Sequence, residues 1–187
     1  MKYKDFIKGS NCSLVRLKKH DEKIVGMFHS LFNESAIYDF LNHEYTRNNT
    51  AGKIRKWLDK KISNPYEVWY IIKSGRDCIG YICFKWRKNY NEACEISTAI
   101  EKKFRGKKLG YESSRMLVDY VISLNFFKYV VGYYYKTNKK AEMNLRKLGF
   151  KKANTLHKII TKEFYGSDGS SKEDRKYHLM VIRKKLN

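Results

Sequence analysis

The chain has 187 residues, is 42% hydrophobic and 15% aromatic, and holds a single proline, a composition of a folded globular protein rather than a basic disordered tail. Its 40 lysines and arginines against 19 acidic residues give a net charge of +21, which attracts nucleic acid, acidic protein surfaces and polyanionic cofactors, or simply keeps the protein soluble. No apolar run nears the roughly 20 residues of a membrane span, no secretory leader is visible behind Met1, and neither Cys12, Cys78, Cys83 and Cys94 nor the scattered histidines have metal-ligand spacing. The expectation is one domain over residues 1–187, cytoplasmic, with reduced thiols and no metal.

In chain order, Leu14-Val15-Arg16-Leu17 alternates as an opening strand. Asp21 is placed to cap a helix whose Ile24, Phe28, Leu31 and Phe32 recur at helical spacing, and Ile37, Phe40 and Leu41 suggest a short further turn. Thr50 begins a helix with Ile54, Trp57, Leu58 and Ile62 on one face, closed by Asn64-Pro65. Val68 to Lys73 and Cys78 to Trp86 form a hairpin over Ser74-Gly75-Arg76-Asp77, and Ala93 to Ile100 extends it to a meander. A helix from Tyr111 carries Leu117, Tyr120, Val121 and Leu124 inward. Tyr129 to Tyr135 is a strand, and Thr137 or Asn138 caps a short helix that turns Ala141, Leu145 and Leu148 inward and stops at Gly149. Ala153 to Thr161 and Tyr177 to Ile182 read as strands joined by a polar loop from Gly166 to Lys176.

The stretch Phe104-Arg105-Gly106-Lys107-Lys108-Leu109-Gly110 joins the third meander strand to the helix after it. A glycine-bearing turn and a helix N-terminus both leave backbone N–H groups unpaired, and together they make a cradle for phosphate oxygens. The helix end contributes about 0.3–1 kcal/mol toward a nearby anion, and Lys107 and Lys108 add to it. No Gly-Lys-Ser/Thr ends the stretch, so it is not a P-loop, and it lacks the third glycine of a dinucleotide fingerprint.

Arg105 to Gly110 resembles the pyrophosphate-binding motif [Q/R]-x-x-G-x-[G/A] of the GNAT superfamily of acyl-CoA N-acyltransferases, with Lys108 where the motif usually has glycine. A lysine there still supplies its N–H at negative φ. Asn138-x-x-Ala141 with Lys147-Leu148-Gly149-Phe150 resembles the family's N-x-x-[A/S]…K-L-G-F segment. Glu95-Ile96-Ser97, and the tail from Gly169 through Asp174 and Tyr177 to Leu179, resemble segments of the RimJ/RimL branch, which acetylates protein N-termini and some small amines. The resemblance spans nearly the whole chain. It implies an α/β (α+β) GNAT fold: a mixed, mostly antiparallel sheet of six to seven strands, flanked by helices and splayed at the cofactor site.

It also implies acetyl-CoA-dependent transfer to a primary amine, with CoA as product. Cofactor contacts would come from Thr98, Ala99, Ile100, Arg105, Gly106, Lys107, Lys108, Leu109 and Gly110, and from Asn138 on the pantetheine arm. The oxyanion donor falls near Ala99 or Ile100, and Glu95 is the candidate base. Leu145 stands where the family has its tyrosine acid, which leaves Tyr135 or water to protonate the thiolate. The segment from Asn33 to Thr50, with Tyr38, Phe40, His43, Glu44 and Tyr45, borders the acceptor, for which Tyr38 and His43 are the candidate contacts. The charge suggests an RNA-associated or acidic partner, the protein being a monomer or homodimer. The alternative is a basic GNAT-fold module, without strong catalysis, that binds RNA, ribosome or an acidic protein.

Overall fold

The computed structural model describes residues 2–35, 48–153, 159–160, 162 and 177–183. Its elements are β1 (Phe6–Lys8), β2 (Ser13–Arg16), α1 (Glu22–Phe32), α2 (Ala51–Ser63), β3 (Glu67–Ser74), β4 (Asp77–Arg87), β5 (Tyr90–Ile100), a 3-10 turn (Lys102–Phe104), α3 (Leu109–Ser123), β6 (Tyr129–Tyr135), α4 (Lys139–Lys147), β7 (Lys151–Lys152) and β8 (Tyr177–Arg183). The strands run in the order β1-β2-β3-β4-β5-β6-β8-β7. β1–β2, β2–β3, β6–β8 and β7–β8 pair antiparallel, and β5–β6 pair parallel. This is the mixed, mostly antiparallel sheet expected, with the three-residue β1 as an added edge strand. Contacts divide the chain into two compact units, residues 1–83 with 98–116 and residues 84–97 with 117–187.

In the first unit, local chemistry sets the helix starts. Asp21 accepts the Ile24 N–H at 2.9 Å and Thr50 accepts the Lys53 N–H at 3.2 Å, so both caps anticipated from sequence form. The apolar stripe of α1 buries Val25, Phe28, Leu31 and Phe32 with Ile54 and Leu58 of α2 and with Trp69, Ile71, Tyr81 and Cys83 of β3 and β4. Phe28 stacks on Tyr81 at 5.3 Å between ring centroids, and Phe32 meets Trp57 edge-on at 5.2 Å.

The link between β1 and β2 also holds α3. The Glu112 carboxylate accepts the Asn11 backbone N–H at 2.8 Å and the Asn11 amide at 2.9 Å. Burial pushes this carboxyl up, but the N–H groups of Asn11, Ser10 and Cys12 outweigh that and hold it below the usual range. Glu112 is therefore committed to structure. The same surroundings push the Cys12 thiol up to about 11, by burial first and the Glu112 charge second.

In the second unit, Ala93, Val131 and Ile160 form a buried cluster flanked by Tyr90, Tyr129 and Tyr133. Phe84, Trp86 and Phe127 pack separately, with centroids 5.7–6.2 Å apart. Asn138 caps α4 by accepting the Ala141 N–H at 3.0 Å, and Gly149 ends it at φ +89. One sequence expectation is corrected here. Ile159, Ile160 and Lys162 are helical, not part of a strand from Ala153 to Thr161, and the pairing with β8 is made instead by Lys151–Lys152. The β-branched run favours a strand, but fully burying Ile160 against Ala93 and Val131 wins over propensity. The expected turn at Ile37, Phe40 and Leu41 and the loop from Gly166 to Lys176 lie outside the described residues.

Among the described residues, no helix is long and apolar enough to cross a membrane, and no group of three or more side chains is placed to hold a metal ion. All four cysteines are unbridged.

Glu112→Gln keeps the shape but turns an amide N–H₂ toward N–H donors, and is expected to cost about 1–3 kcal/mol of stability. Because the folded carboxyl is depressed, its contribution is complete above the unfolded glutamate value of about 4.3 and is lost as pH falls through the lower folded value. Melting curves of both proteins against pH check this: the gap between them should hold near neutrality and close in acid.

Candidate active site

The structure brings Thr98, Ala99, Ile100 and Arg105 to Gly110 together within the first unit, and it shapes them by contacts the sequence does not advertise. Gly80 of β4 lies against the end of β5 so closely that a Cβ there would collide with the Ala99 carbonyl oxygen and lie 2.9 Å from Ile100 Cα. The β5 backbone thus passes over Gly80, a course open only above a residue with no side chain. Thr98 Oγ1 donates to Tyr81 O at 3.1 Å, and the Glu101 N–H donates to Ile79 O at 2.9 Å, so β4 holds β5 on both sides of that point. The parallel register of β5 with β6 runs from Ala93↔Tyr129 to Ile96↔Gly132, although β5 continues to Ile100 and β6 to Tyr135.

Past Ile100 the chain makes its 3-10 turn, with the Phe104 N–H on Glu101 O and the Arg105 N–H on Lys102 O. The backbone then turns left-handed at Gly106, φ +83, and again at Lys108, φ +60. This corrects the expectation of negative φ at Lys108: the lysine adopts the conformation of the glycine that the motif usually has there, at a cost of about 1–2 kcal/mol for an L-residue. It also moves the helix start. α3 begins at Leu109 rather than Tyr111, and its first bond runs from the Glu112 N–H to Lys108 O at 3.0 Å. The N–H groups of Leu109, Gly110 and Tyr111 precede the helical ladder. A Cβ at Gly110 would meet Ile100 Cδ1 at 3.5 Å, an ordinary contact that suits a motif position accepting alanine.

The charges around this turn differ in their freedom. Arg105 is neutralised: its guanidinium pairs with both oxygens of Glu34 at 2.7 Å, and its Nε–H donates to Ile100 O at 2.8 Å. What it contributes to the site is therefore shape. Lys102, Lys107 and Lys108 are exposed, and Lys107 lies 5.7 Å from the centre of the Phe104 ring. A Cβ at Gly106 would find open space, so a ligand can approach the turn closely. A turn with an open glycine face, helix-end N–H groups and lysines that pair with no carboxylate among the described residues is suited to diphosphate oxygens.

The remaining candidates belong to the second unit. Glu95 is buried, 6% exposed, and its carboxylate lies 3.2 Å from Lys85 Nζ. It sits level with Val131 in the parallel register, on the β6 face that also carries Tyr133 and Tyr135. At about 3.3 Å per residue, Tyr133 stands roughly 7 Å further along that face and Tyr135 roughly 13 Å. Tyr133 is thus the phenol closer to Glu95, a distinction that emerges only once the register is known. Asn138 uses Oδ1 for its cap, and the amide N–H₂ is not part of that bond. Leu145 is a core residue: it is 9% exposed, and a Cβ on Gly132 would fall 2.6 Å from its Cδ2. Cys94, next to Glu95, is fully buried, and its thiol is pushed far up by burial first and the Glu95 charge second, so it is not a nucleophile. Tyr38 and His43 lie outside the described residues.

The left-handed backbone at position 108 has a direct check. Lys108→Gly relieves the strain and Lys108→Ala keeps it, so the glycine variant should be the more stable by roughly 1 kcal/mol in urea unfolding. Equal stabilities would mean that the backbone there is not held left-handed.

Several solved structures share this fold. RimL, a ribosomal L7/L12 alpha-N-protein acetyltransferase in complex with coenzyme A, is 16% identical and aligns over 95% of this chain and 97% of its own, with a TM-score of 0.73. A probable GNAT-family acetyltransferase from Chromobacterium violaceum is 16% identical over 98% of this chain and 88% of its own, with a TM-score of 0.73. The microcin C7 self-immunity acetyltransferase MccE, in complex with acetyl-CoA and AMP, is 14% identical over 94% and 93%, with a TM-score of 0.71. No curated protein matches by sequence. The family described as acetyltransferase (GNAT) domain matches residues 14–151, which is most of the chain and includes the turn, Glu95 and Asn138, and the protein therefore belongs to the GNAT acetyltransferases.

Proposed function

We propose that this acetyltransferase uses acetyl-CoA to acetylate a primary amine, either a protein N-terminus or a small amine. The observation that carries the proposal is the turn from Arg105 to Gly110: open at Gly106, lined by N–H groups that precede the helical ladder, and flanked by uncommitted lysines. The residues present fit a CoA diphosphate, and the relatives solved with CoA or acetyl-CoA support that ligand. In this reading Gly106 to Gly110 hold the diphosphate, Asn138 faces the pantetheine arm, and Thr98, Ala99 and Ile100 line the thioester. The family match runs through both compact units, which supports treating residues 1–187 as one functional domain.

Acetyl-CoA supplies an acyl group already activated as a thioester. The amine nitrogen forms the new bond to the acyl carbon, the carbon–sulfur bond breaks, and the nitrogen proton must leave. A backbone N–H of Ala99 or Ile100 meets the developing oxyanion. Glu95 takes the proton through water, with Lys85 Nζ lying 3.2 Å from its carboxylate. Leu145 can donate nothing, so the thiolate takes its proton from solvent or from a phenol of β6. Placing the partners supplies about 7–11 kcal/mol of the barrier, whereas a base supplies 10²–10⁴-fold, about 3–5 kcal/mol. Positioning contributes more than the base, and a missing acid does not preclude turnover.

For the acceptor, RimL is named as an alpha-N-protein acetyltransferase and MccE is solved with acetyl-CoA and AMP, which supports keeping both protein N-termini and small amines in view. The basic surface from Lys136 to Lys152 supports an anionic environment for it. Lys136, Lys139, Lys140, Arg146, Lys147, Lys151 and Lys152 are all exposed, and Glu142, among them, is already paired with Lys139 and Arg146. An RNA-associated or acidic protein carrying the amine suits such a surface. Four unbridged cysteines support a reducing, cytoplasmic setting.

The test is release of free CoA thiol from acetyl-CoA in the presence of amines, N-terminal peptides and aminoacyl-tRNA. Glu95→Gln should slow that turnover roughly 10- to 1,000-fold and flatten the acidic limb of the pH–rate profile. Leu145→Tyr should change the rate far less, and should lower the melting temperature because a phenol cannot fit against Gly132. Full turnover by Glu95→Gln at every pH would make Glu95 a structural partner of Lys85 only.

A second outcome separates the two roles of Asn138. Loss of the cap in Asn138→Ala should cost about 1 kcal/mol in stability. If the amide also faces the pantetheine arm, KM for acetyl-CoA should rise as well. A stability loss with unchanged KM would leave it a cap alone.

A further inference from the structure

Arg105 opens the phosphate-binding motif, yet its side chain is turned onto the protein. Its Nε–H donates to Ile100 O at 2.8 Å, and its two terminal nitrogens donate to Glu34 Oε1 and Oε2 at 2.7 Å each. One side chain thus ties the end of β5 to the start of the turn and ties both to the residue just past the C-cap of α1. Glu34 is itself well anchored. Beside it, Asn33 Oδ1 accepts the Asn49 N–H at 3.1 Å, Asn33 Nδ2 donates to Asn49 O at 3.0 Å, and Asn49 Nδ2 donates to Phe32 O at 3.3 Å. The Glu34 side chain is only 16% exposed.

The next three residues after Arg105 include both left-handed positions, Gly106 and Lys108. A strained backbone of this kind persists only when its surroundings over-determine it. We infer that Glu34 is a positioning residue for acetyl-CoA: through the Arg105 fork it holds the turn in the conformation that presents its N–H groups to the diphosphate. This rests on the reading that the turn binds acetyl-CoA. The opposite role is also definite. If Glu34 merely withheld Arg105 from the ligand, removing it would tighten binding. The geometry points to the brace, because releasing the fork to a ligand would also loosen the bond from Nε–H to Ile100 O, at the strand end that the thioester needs fixed.

The experiment compares wild type, Glu34→Gln, Arg105→Lys and the double variant by calorimetry with CoA. Glu34→Gln should bind roughly tenfold more weakly. Arg105→Lys should match it, since an ammonium cannot fork, and the double variant should be no weaker than either single. In turnover, KM for acetyl-CoA should rise while kcat stays within about threefold, a split that a general loss of fold would not give. Hydrogen exchange in the ligand-free protein should quicken at the amides of Gly106 to Tyr111 in Glu34→Gln and stay unchanged in α4. Binding as tight as wild type or tighter in Glu34→Gln, or losses that simply add in the double variant, would overturn the brace. Failure of wild type to bind CoA would instead remove the cofactor reading, and the exchange measurement would still decide the brace: unchanged rates at Gly106 to Tyr111 reject it.

Discussion

The head of α3 depends on a backbone that turns left-handed twice within three residues, and everything proposed for the site follows from keeping it there. Gly106 adopts that conformation freely, whereas Lys108 adopts it against a Cβ. The strain is small beside the contacts that enclose it. The Arg105 fork on Glu34, the Arg105 Nε–H on Ile100 O, the 3-10 bonds at Phe104 and Arg105, and the first helical bond to Lys108 O all bear on this one turn. Retaining lysine where glycine is easier leaves a cation beside an open glycine face. In the proposed function that cation meets the diphosphate, so the strain and the charge would serve the same ligand.

The same distinction between committed and uncommitted charge governs the rest of the chain. A net +21 is not by itself a site, because the basic residues run the length of the chain and some of them are paired. Lys18 and Arg16 share Asp5, Arg55 is on Glu22, Lys61 is on the buried Glu67, and Arg105 is on Glu34. The exposed pairs among these are worth little to stability, but each pair removes a cation from the field that a ligand feels. What remains concentrated is the turn, with Lys102, Lys107 and Lys108, and the surface of α4 and β7. In the proposed function the first meets a small polyanion and the second a larger anionic partner.

Much of the fold is legible in the sequence because short-range chemistry fixes it. Asp21, Thr50 and Asn138 are caps whose partners lie three residues away, and the bounds of β6 follow to the residue from its apolar run. The departures have long-range causes. Ile159 and Ile160 look like strand until Ile160 is seen buried against Ala93 and Val131. β1 is a three-residue strand with one half-buried side chain, too short for a pattern. At the site, the motif residues are visible in the sequence, but their jobs are not. That Arg105 faces Glu34 depends on a partner 71 residues away, and that Gly80 must be glycine depends on where β5 passes. Neither leaves a local signal.

Leu145 shows how the chemistry and the packing are one problem. The family's acid would stand on α4 at this position, and here the side chain is pressed against Gly132 in β6. The absence of Cβ at Gly132 is what lets α4 approach so closely, so leucine and glycine form a matched pair. Restoring a phenol at 145 would have to push the helix away or swing the ring out. Leucine rather than a phenol at 145 exchanges a possible proton donor for close helix–sheet packing. Such an exchange is tolerable where the leaving group is a thiolate, which needs little help to depart near neutral pH, and where alignment supplies most of the barrier reduction. Under the proposed mechanism a loss at Glu95 would matter more, because an ammonium cannot attack until its proton is gone. In the proposed mechanism, a buried carboxylate beside Lys85 and a buried leucine where an acid would stand fit one arrangement, in which the base is kept and water supplies the acid.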